Sequence, residues 1–362
     1  MITAQTSTAP SRARRGIRAT AALIAAGALA LAGCSGGGGS SPSGSGGELK
    51  EMTVVTFLPL ESFSFTPEMF AYSGGYFEKN GLDVDLQPVQ GTAAAIQSLV
   101  GGATTITRAS TVDVFPAMES GQPITAVGTM AYRSNLRVVS TTDDPIVDPE
   151  DMSGKTIGMG SIGGTSEKML NLALDEAGVD QDSVTRQAVP VTAATLEVVR
   201  QKQLAGYIVS LDTSLAIEQQ NDDAVIEQVG LVDQPDIQTW ITTQSNLDNP
   251  ERVEEIELFL TAIKEATQFV IDDAENDFDN VLQIMRDSGD WNFPALQDDD
   301  VARAALAEYV TGTWVDPDGS VSLLENDMDA WADTYEVYTK AGFVEGGQDP
   351  LQWITNDYLP AG

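Results

Sequence analysis

Two stretches of this chain, about a hundred residues apart, repeat one order of local signals, and that order admits few folds. The first copy runs Gly81-Leu82-Asp83-Val84-Asp85-Leu86-Gln87-Pro88-Val89, then 91–99, then 104–110. The second runs Gly178-Val179-Asp180, then 186–191, 192–199 and 205–210. Each copy reads strand, helix, strand, because short β-branched runs flank a longer apolar one and glycine or proline punctuates the joins. Upstream of each copy stands another strand and helix: 53–57 with 67–79, and 156–159 with 166–177. In the last of these Met169, Leu170, Leu172, Ala173, Leu174 and Ala177 form a broad apolar stripe. Two successive strand-helix-strand-helix-strand units predict an α/β protein of two similar lobes, each a mostly parallel sheet flanked by helices.

Beyond 240–243 the pattern turns helical. Asn249 is placed to cap and Pro250 to begin a helix, and Val253, Ile256, Leu260, Ile263, Ala266 and Val270 keep helical spacing. Further helices are predicted at 278–287, 299–309 and 323–341, with a turn at Pro317-Asp318-Gly319. These helices have no sheet of their own to cover, so they are expected to return to the first lobe.

The beginning of the chain reads as a processing signal. Arg12, Arg14, Arg15 and Arg18 precede an apolar run at 21–32 that ends in Leu31-Ala32-Gly33-Cys34. Small residues before a lone cysteine suit lipoprotein processing, in which Cys34 is diacylated and becomes the first residue of the mature chain. Two acyl chains suffice for stable membrane attachment. Residues 35–47 are nearly all glycine and serine, the composition of a flexible tether, so 34–48 links lipid to folded protein. Sec and twin-arginine export both remain open.

What is missing also narrows function. The 362 residues include no histidine and one cysteine, so Ser-His-Asp and Cys-His catalysis and His/Cys metal sites are excluded, and no cofactor is expected. The formal net charge is −35, and loss of a leader carrying four arginines and no acid makes the mature chain more acidic still. Nucleic acid and anionic lipid are thereby poor partners. A monomer is expected.

Ligands of parallel α/β sheets sit outside the carboxyl ends of the strands. In the first lobe that rule selects 58–65 with Leu60, Glu61 and Phe63, then Gly91 and Thr92, Arg108, Ser110 and Thr111, and Tyr132 with Arg133. In the second it selects Ser161, Gly163, Gly164, Thr165 and Ser166, a glycine-rich loop that opens a helix, together with Ser210 and Asp212. That loop matches no nucleotide-binding fingerprint. Arg108 suits either a ligand carboxylate or sulfonate or a structural ion pair with Asp113 or Glu61. Phe63, Phe65, Tyr132 and Trp240 suit either core packing or ligand stacking.

The run Gly74-Gly75-Tyr76-Phe77-Glu78-Lys79-Asn80-Gly81-Leu82-Asp83-Val84 resembles a signature of the substrate-binding proteins of nitrate/sulfonate/taurine ABC importers. Asp151-Met152-Ser153-Gly154-Lys155-Thr156-Ile157-Gly158, continued by Gly163-Gly164-Thr165-Ser166-Glu167, is similar to the start of that family's second lobe. The resemblance spans roughly 50–215. It implies a type II periplasmic-binding-protein clamshell with connections near 139–142 and 240–243, hence one lobe of 49–139 plus 244–362 and another of 140–243. It also implies a permease and an ATPase as partners, and a small solute drawn from sulfonates, taurine, nitrate-like anions, carboxylates, aromatic acids, thiamine-pyrimidine precursors and riboflavin. The chain departs from the family pattern at Arg108, usually apolar, and at Ala205-Gly206-Tyr207, where an Asp-Ala pair is commoner. A related branch consumes its own histidine in thiamine-pyrimidine synthesis, which this chain lacks. A sensor or scaffold lipoprotein and a carboxylate-pair hydrolase remain as alternatives to transport.

Overall fold

The computed structural model describes residues 49–57, 60–316 and 319–360. The leader, Cys34 and the tether lie outside the described residues, as do Leu58, Pro59, Pro317 and Asp318.

Among the described residues ten strands form two five-stranded sheets of one design. The first contains β1 (Lys50–Phe57), β2 (Leu82–Val89), β3 (Thr107–Ser110), β4 (Ile124–Ala131) and β10 (Gln238–Thr243), in the order β2-β1-β3-β10-β4. The second contains β5 (Leu136–Thr141), β6 (Thr156–Met159), β7 (Thr185–Ala188), β8 (Gly206–Ser210) and β9 (Ala224–Glu227), in the order β7-β6-β8-β5-β9. The two repeats predicted from sequence are the β1–β3 and β6–β8 units, each parallel and joined through helices. One antiparallel strand enters each sheet at the fourth place: β10 between β3 and β4, and β5 between β8 and β9.

Those two strands correct the expected lobe boundaries. The chain passes from one sheet to the other at 132–135, between β4 and β5, and returns at 228–237, between β9 and β10. Residues 139–142 therefore belong largely to a second-lobe strand, and 240–243 to the first sheet, rather than to connections. Both strands are short, buried and mixed in polarity, and such a run does not reveal which sheet it will join.

Helix boundaries follow local chemistry. The stretch expected as one helix over 67–79 is two, Thr66–Ser73 and Tyr76–Lys79, because Gly75 turns the chain through φ 73°, a conformation that favours glycine. The last long helix begins at Met328 rather than 323, where Asp327 accepts hydrogen bonds from the amides of Asp329 and Ala330. Asn249 caps helix Pro250–Asp272 through the Glu251 amide, as its sequence predicts.

Helix Pro250–Asp272 closes the first lobe. Phe259 stacks on Phe77 at 5.5 Å and takes the edge of Trp240 at 4.8 Å. Helix Met328–Lys340 packs on helix Thr111–Glu119, where Phe115 meets the edge of Trp331 at 5.1 Å. Each such buried aromatic contributes about 1.5–3 kcal/mol through burial. Helix Asp299–Gly312 behaves differently: it packs both on the turn at Phe63–Phe65 in the first lobe and on helix Leu211–Gln220 in the second.

Candidate functional site

The carboxyl ends of β1, β3 and β8 meet along a seam between the lobes, and polar side chains concentrate there. Ser62 follows β1, and Asp212 stands in the first turn of helix Leu211–Gln220 directly after β8. Their side chains meet across the seam, Ser62 Oγ donating to Asp212 Oδ1 at 3.0 Å. Tyr309 on helix Asp299–Gly312 donates to the same oxygen at 3.4 Å and accepts from Asn135 Nδ2 at 2.7 Å. Asn135 lies in the first crossing segment, so that crossing is tied through Tyr309 to the carboxylate that joins the lobes. Burial pushes the Asp212 carboxyl up from its ordinary value, although hydrogen bonds from Ser62, Ser210 and Tyr309 oppose that rise.

A second buried carboxyl stands at the other crossing. Asp236 accepts a hydrogen bond from Ser110 Oγ at 2.6 Å, and burial raises its pKa to about 6. Ser110 also caps the helix that follows β3. Nearby, Thr111 Oγ1 lies 3.2 Å from Tyr338 Oη, whose hydroxyl donates to the Pro235 carbonyl. Ser110 and Thr111 thus both lie at the seam beside the second crossing.

Arg108 is wholly buried and its partner is Glu68, not Asp113 or Glu61. One guanidinium nitrogen donates to Glu68 Oε1 at 3.0 Å and to the Ser64 carbonyl at 2.9 Å, while the Phe65 ring lies 4.8 Å from the guanidinium carbon. Asp113 instead pairs with Lys168 across the seam and accepts from Thr165 Oγ1 at 3.3 Å. Glu61 accepts from the Asn292 amide. The sequence identifies Arg108 as unusual, but its partner lies in the first turn of helix Thr66–Ser73, which only folding brings over it.

The glycine-rich loop is exposed at Ser161 and Gly163 and partly buried at Gly164, Thr165 and Ser166. Its Gly163 amide already donates to the Glu167 carboxylate, an acid held at its own helix start. Ser210 bonds Thr213 at 3.1 Å beside Asp212.

Other expected residues serve the scaffold. Trp240 is fully buried beneath helix Pro250–Asp272, so its ring is core rather than a stacking platform. Leu60 and Phe63 are buried in the same core, Phe63 against the edge of Phe293 at 5.2 Å. Tyr132 donates to the Glu325 carbonyl at 2.8 Å, anchoring the segment before the first crossing, while Arg133 is exposed. Gly91 and Thr92 open helix Thr92–Val100, with Thr92 buried. Sequence reading included Ser62 only within the segment 58–65 and missed Asn135, Asp236, Gln238 and Tyr309. Tyr309 in particular carries no local signal, since at its helical spacing it reads as core.

Comparison with known proteins follows the same lines. The model of the NMT1/THI5 like family matches residues 62–276, more than half the chain. The riboflavin-binding protein RibY of Chloroflexus aurantiacus is 24% identical over 336 residues, covering 87% of each chain. The periplasmic aliphatic sulphonate binding protein SsuA of Escherichia coli superposes with a TM-score of 0.60 at 12% identity, over 84% of this chain and 97% of that one. The periplasmic nitrate-binding protein NrtA of Synechocystis PCC 6803 gives 0.61 at 15% identity, over 86% and 87%. Sheet order, the two crossings and the family match agree: this chain belongs to the NMT1/THI5-like family and has the two-lobed fold of the periplasmic binding proteins.

Proposed function

We propose that this protein is the solute-binding lipoprotein of an ATP-driven importer, tethered by Cys34 outside the cell, which captures a small solute in the seam between its lobes and presents it to a permease and its ATPase. The observation that carries this reading is the hydrogen bonding of Ser62, after β1 of the first lobe, and of Tyr309 to Asp212, which opens a second-lobe helix. A solute entering there replaces lobe-to-lobe bonds with its own and so alters the relation of the lobes that a permease would recognise. Ser110, Thr111 and Thr165 border the same seam. Among the described residues no helix is long and apolar enough to cross a membrane.

Affinity capture from native membranes tests the whole reading. The wild-type protein should remain in the membrane fraction and bring down a permease and an ATPase. Cys34→Ser should appear in the medium or as unprocessed precursor and bring down neither. Retention of Cys34→Ser at the mature mass would sink the anchor, and capture of a signalling receptor in place of the permease would replace transport with sensing.

A further inference from the structure

The charges along the seam point to the class of solute. Three cations there are paired, Arg108 with Glu68, Lys168 with Asp113 and Arg137 with Glu308, while Arg133 in the first crossing is exposed to solvent. The Lys168–Asp113 and Arg137–Glu308 pairs run from lobe to lobe. Two further groups are carboxyls, Asp212 and Asp236, 4% and 2% exposed, and neither has a cationic partner within ion-pair distance among the described residues. Every bond that holds them comes from a neutral hydroxyl or amide.

A second observation is independent of those carboxyls. Gln238 is 7% exposed and its side-chain oxygen Oε1 has no hydrogen-bond partner. Gln238 pairs directly with Ser110 across β10 and β3, so the two side chains share a face, and the Ser110 hydroxyl on that face reaches Asp236. An orphaned acceptor in that position calls for a donor. The Arg108–Glu68 pair does not tip the balance toward an anion. Arg108 keeps two unpartnered N–H groups, Nε and one terminal nitrogen, but Glu68 keeps an unpartnered oxygen, so the pair offers both donors and an acceptor and carries no net charge. The second lobe's loop amide at Gly163 is already taken by Glu167.

Resting on the seam as the binding site, we propose that it selects a net-neutral or cationic solute which donates a hydrogen bond, from a hydroxyl, ring N–H or amine, to Asp212, and that it rejects small anions of the nitrate or sulfonate type. A buried anion there would meet two carboxyls that lack ion-pair partners, beside buried cations already paired, an arrangement that disfavours like charge strongly at low dielectric. A donor replaces what Ser62 and Tyr309 give Asp212 when the lobes part.

Calorimetry and melting shifts with five probes test this: riboflavin and cytosine as neutral donors, putrescine as a cationic one, nitrate and methanesulfonate as anions. At least one donor probe should bind and both anions should fail to, and Asp212→Asn should weaken the bound probe by about tenfold or more. Tighter binding of nitrate or methanesulfonate than of every donor probe overturns this inference while leaving a solute-binding seam intact. Unchanged probe affinity in Asp212→Asn, with only the free protein's melting point lowered, makes Asp212 a structural latch and overturns its role. Should Asp212→Asn fail to fold, the wild-type ranking of donors against anions decides alone. Absence of binding by all five overturns the seam as a binding site and this inference with it.

Discussion

Arg108 and Glu68 are both fully buried, and burial pushes the Glu68 carboxyl above its ordinary value even though Arg108 opposes the rise. A pair of this kind is costly to break and cheap to replace together. Arg108→Met alone should destabilise the protein by about 3–5 kcal/mol in urea unfolding, because Glu68 is left uncompensated. The double variant Arg108→Met, Glu68→Leu should recover most of that loss; equal destabilisation of the single and the double would remove the pair from the account. Asp236 makes a prediction in pH. Its folded pKa of about 6 lies above the ordinary 3.8, so the folded state binds the proton more tightly than the unfolded one. Its contribution is therefore fully present below about pH 4 and is lost as pH rises through 6, a fall of about 3 kcal/mol from the shift alone. Asp113, which raises that pKa, and Arg108, which lowers it, act on both sides of the group. Relative to wild type, Asp236→Asn should gain stability between pH 4 and pH 7; parallel stability curves across that window would refute the assignment.

At the scale of elements, the second sheet depends on close approach at β8. A methyl group placed on Gly206 would stand 2.8 Å from the Val139 carbonyl and 2.9 Å from Ile146 Cδ1, and a backbone oxygen cannot swing away. Gly206 sits where β8 pairs with β6, beside Tyr207, which pairs with Val139 of the antiparallel β5. Gly206→Ala should cost about 1–3 kcal/mol through overpacking, read as a lowered urea midpoint with an unchanged slope. A midpoint equal to wild type would mean that β5 and β8 can part without penalty. The same crowding gives a reason for glycine at the centre of the Ala205-Gly206-Tyr207 departure from the family pattern.

At the scale of the molecule, two crossings at 132–135 and 228–237 are the only chain links between the sheets among the described residues, and both are pinned at their ends. Tyr132 fixes the start of the first through Glu325, and Tyr338 holds Pro235 in the second. Hinge closure around such links is the usual response of two lobes to a solute between them. The probe that raises the melting point most should reduce the radius of gyration in solution scattering; an unchanged radius at saturation would argue for a rigid receptor.

The repeated strand-helix-strand pattern and the Asn249 cap were legible in the residues because their causes are local: side-chain periodicity and capping chemistry. From that pattern alone follow two α/β lobes, and from the missing histidine the loss of whole classes of catalysis. The partner of Arg108, the sheet that β5 and β10 join, and the meeting of Ser62, Tyr309 and Asp212 were decided only by tertiary structure. Each joins residues 40 to 150 positions apart, or a short buried strand that fits either sheet by its own sequence, and no local period records such a choice.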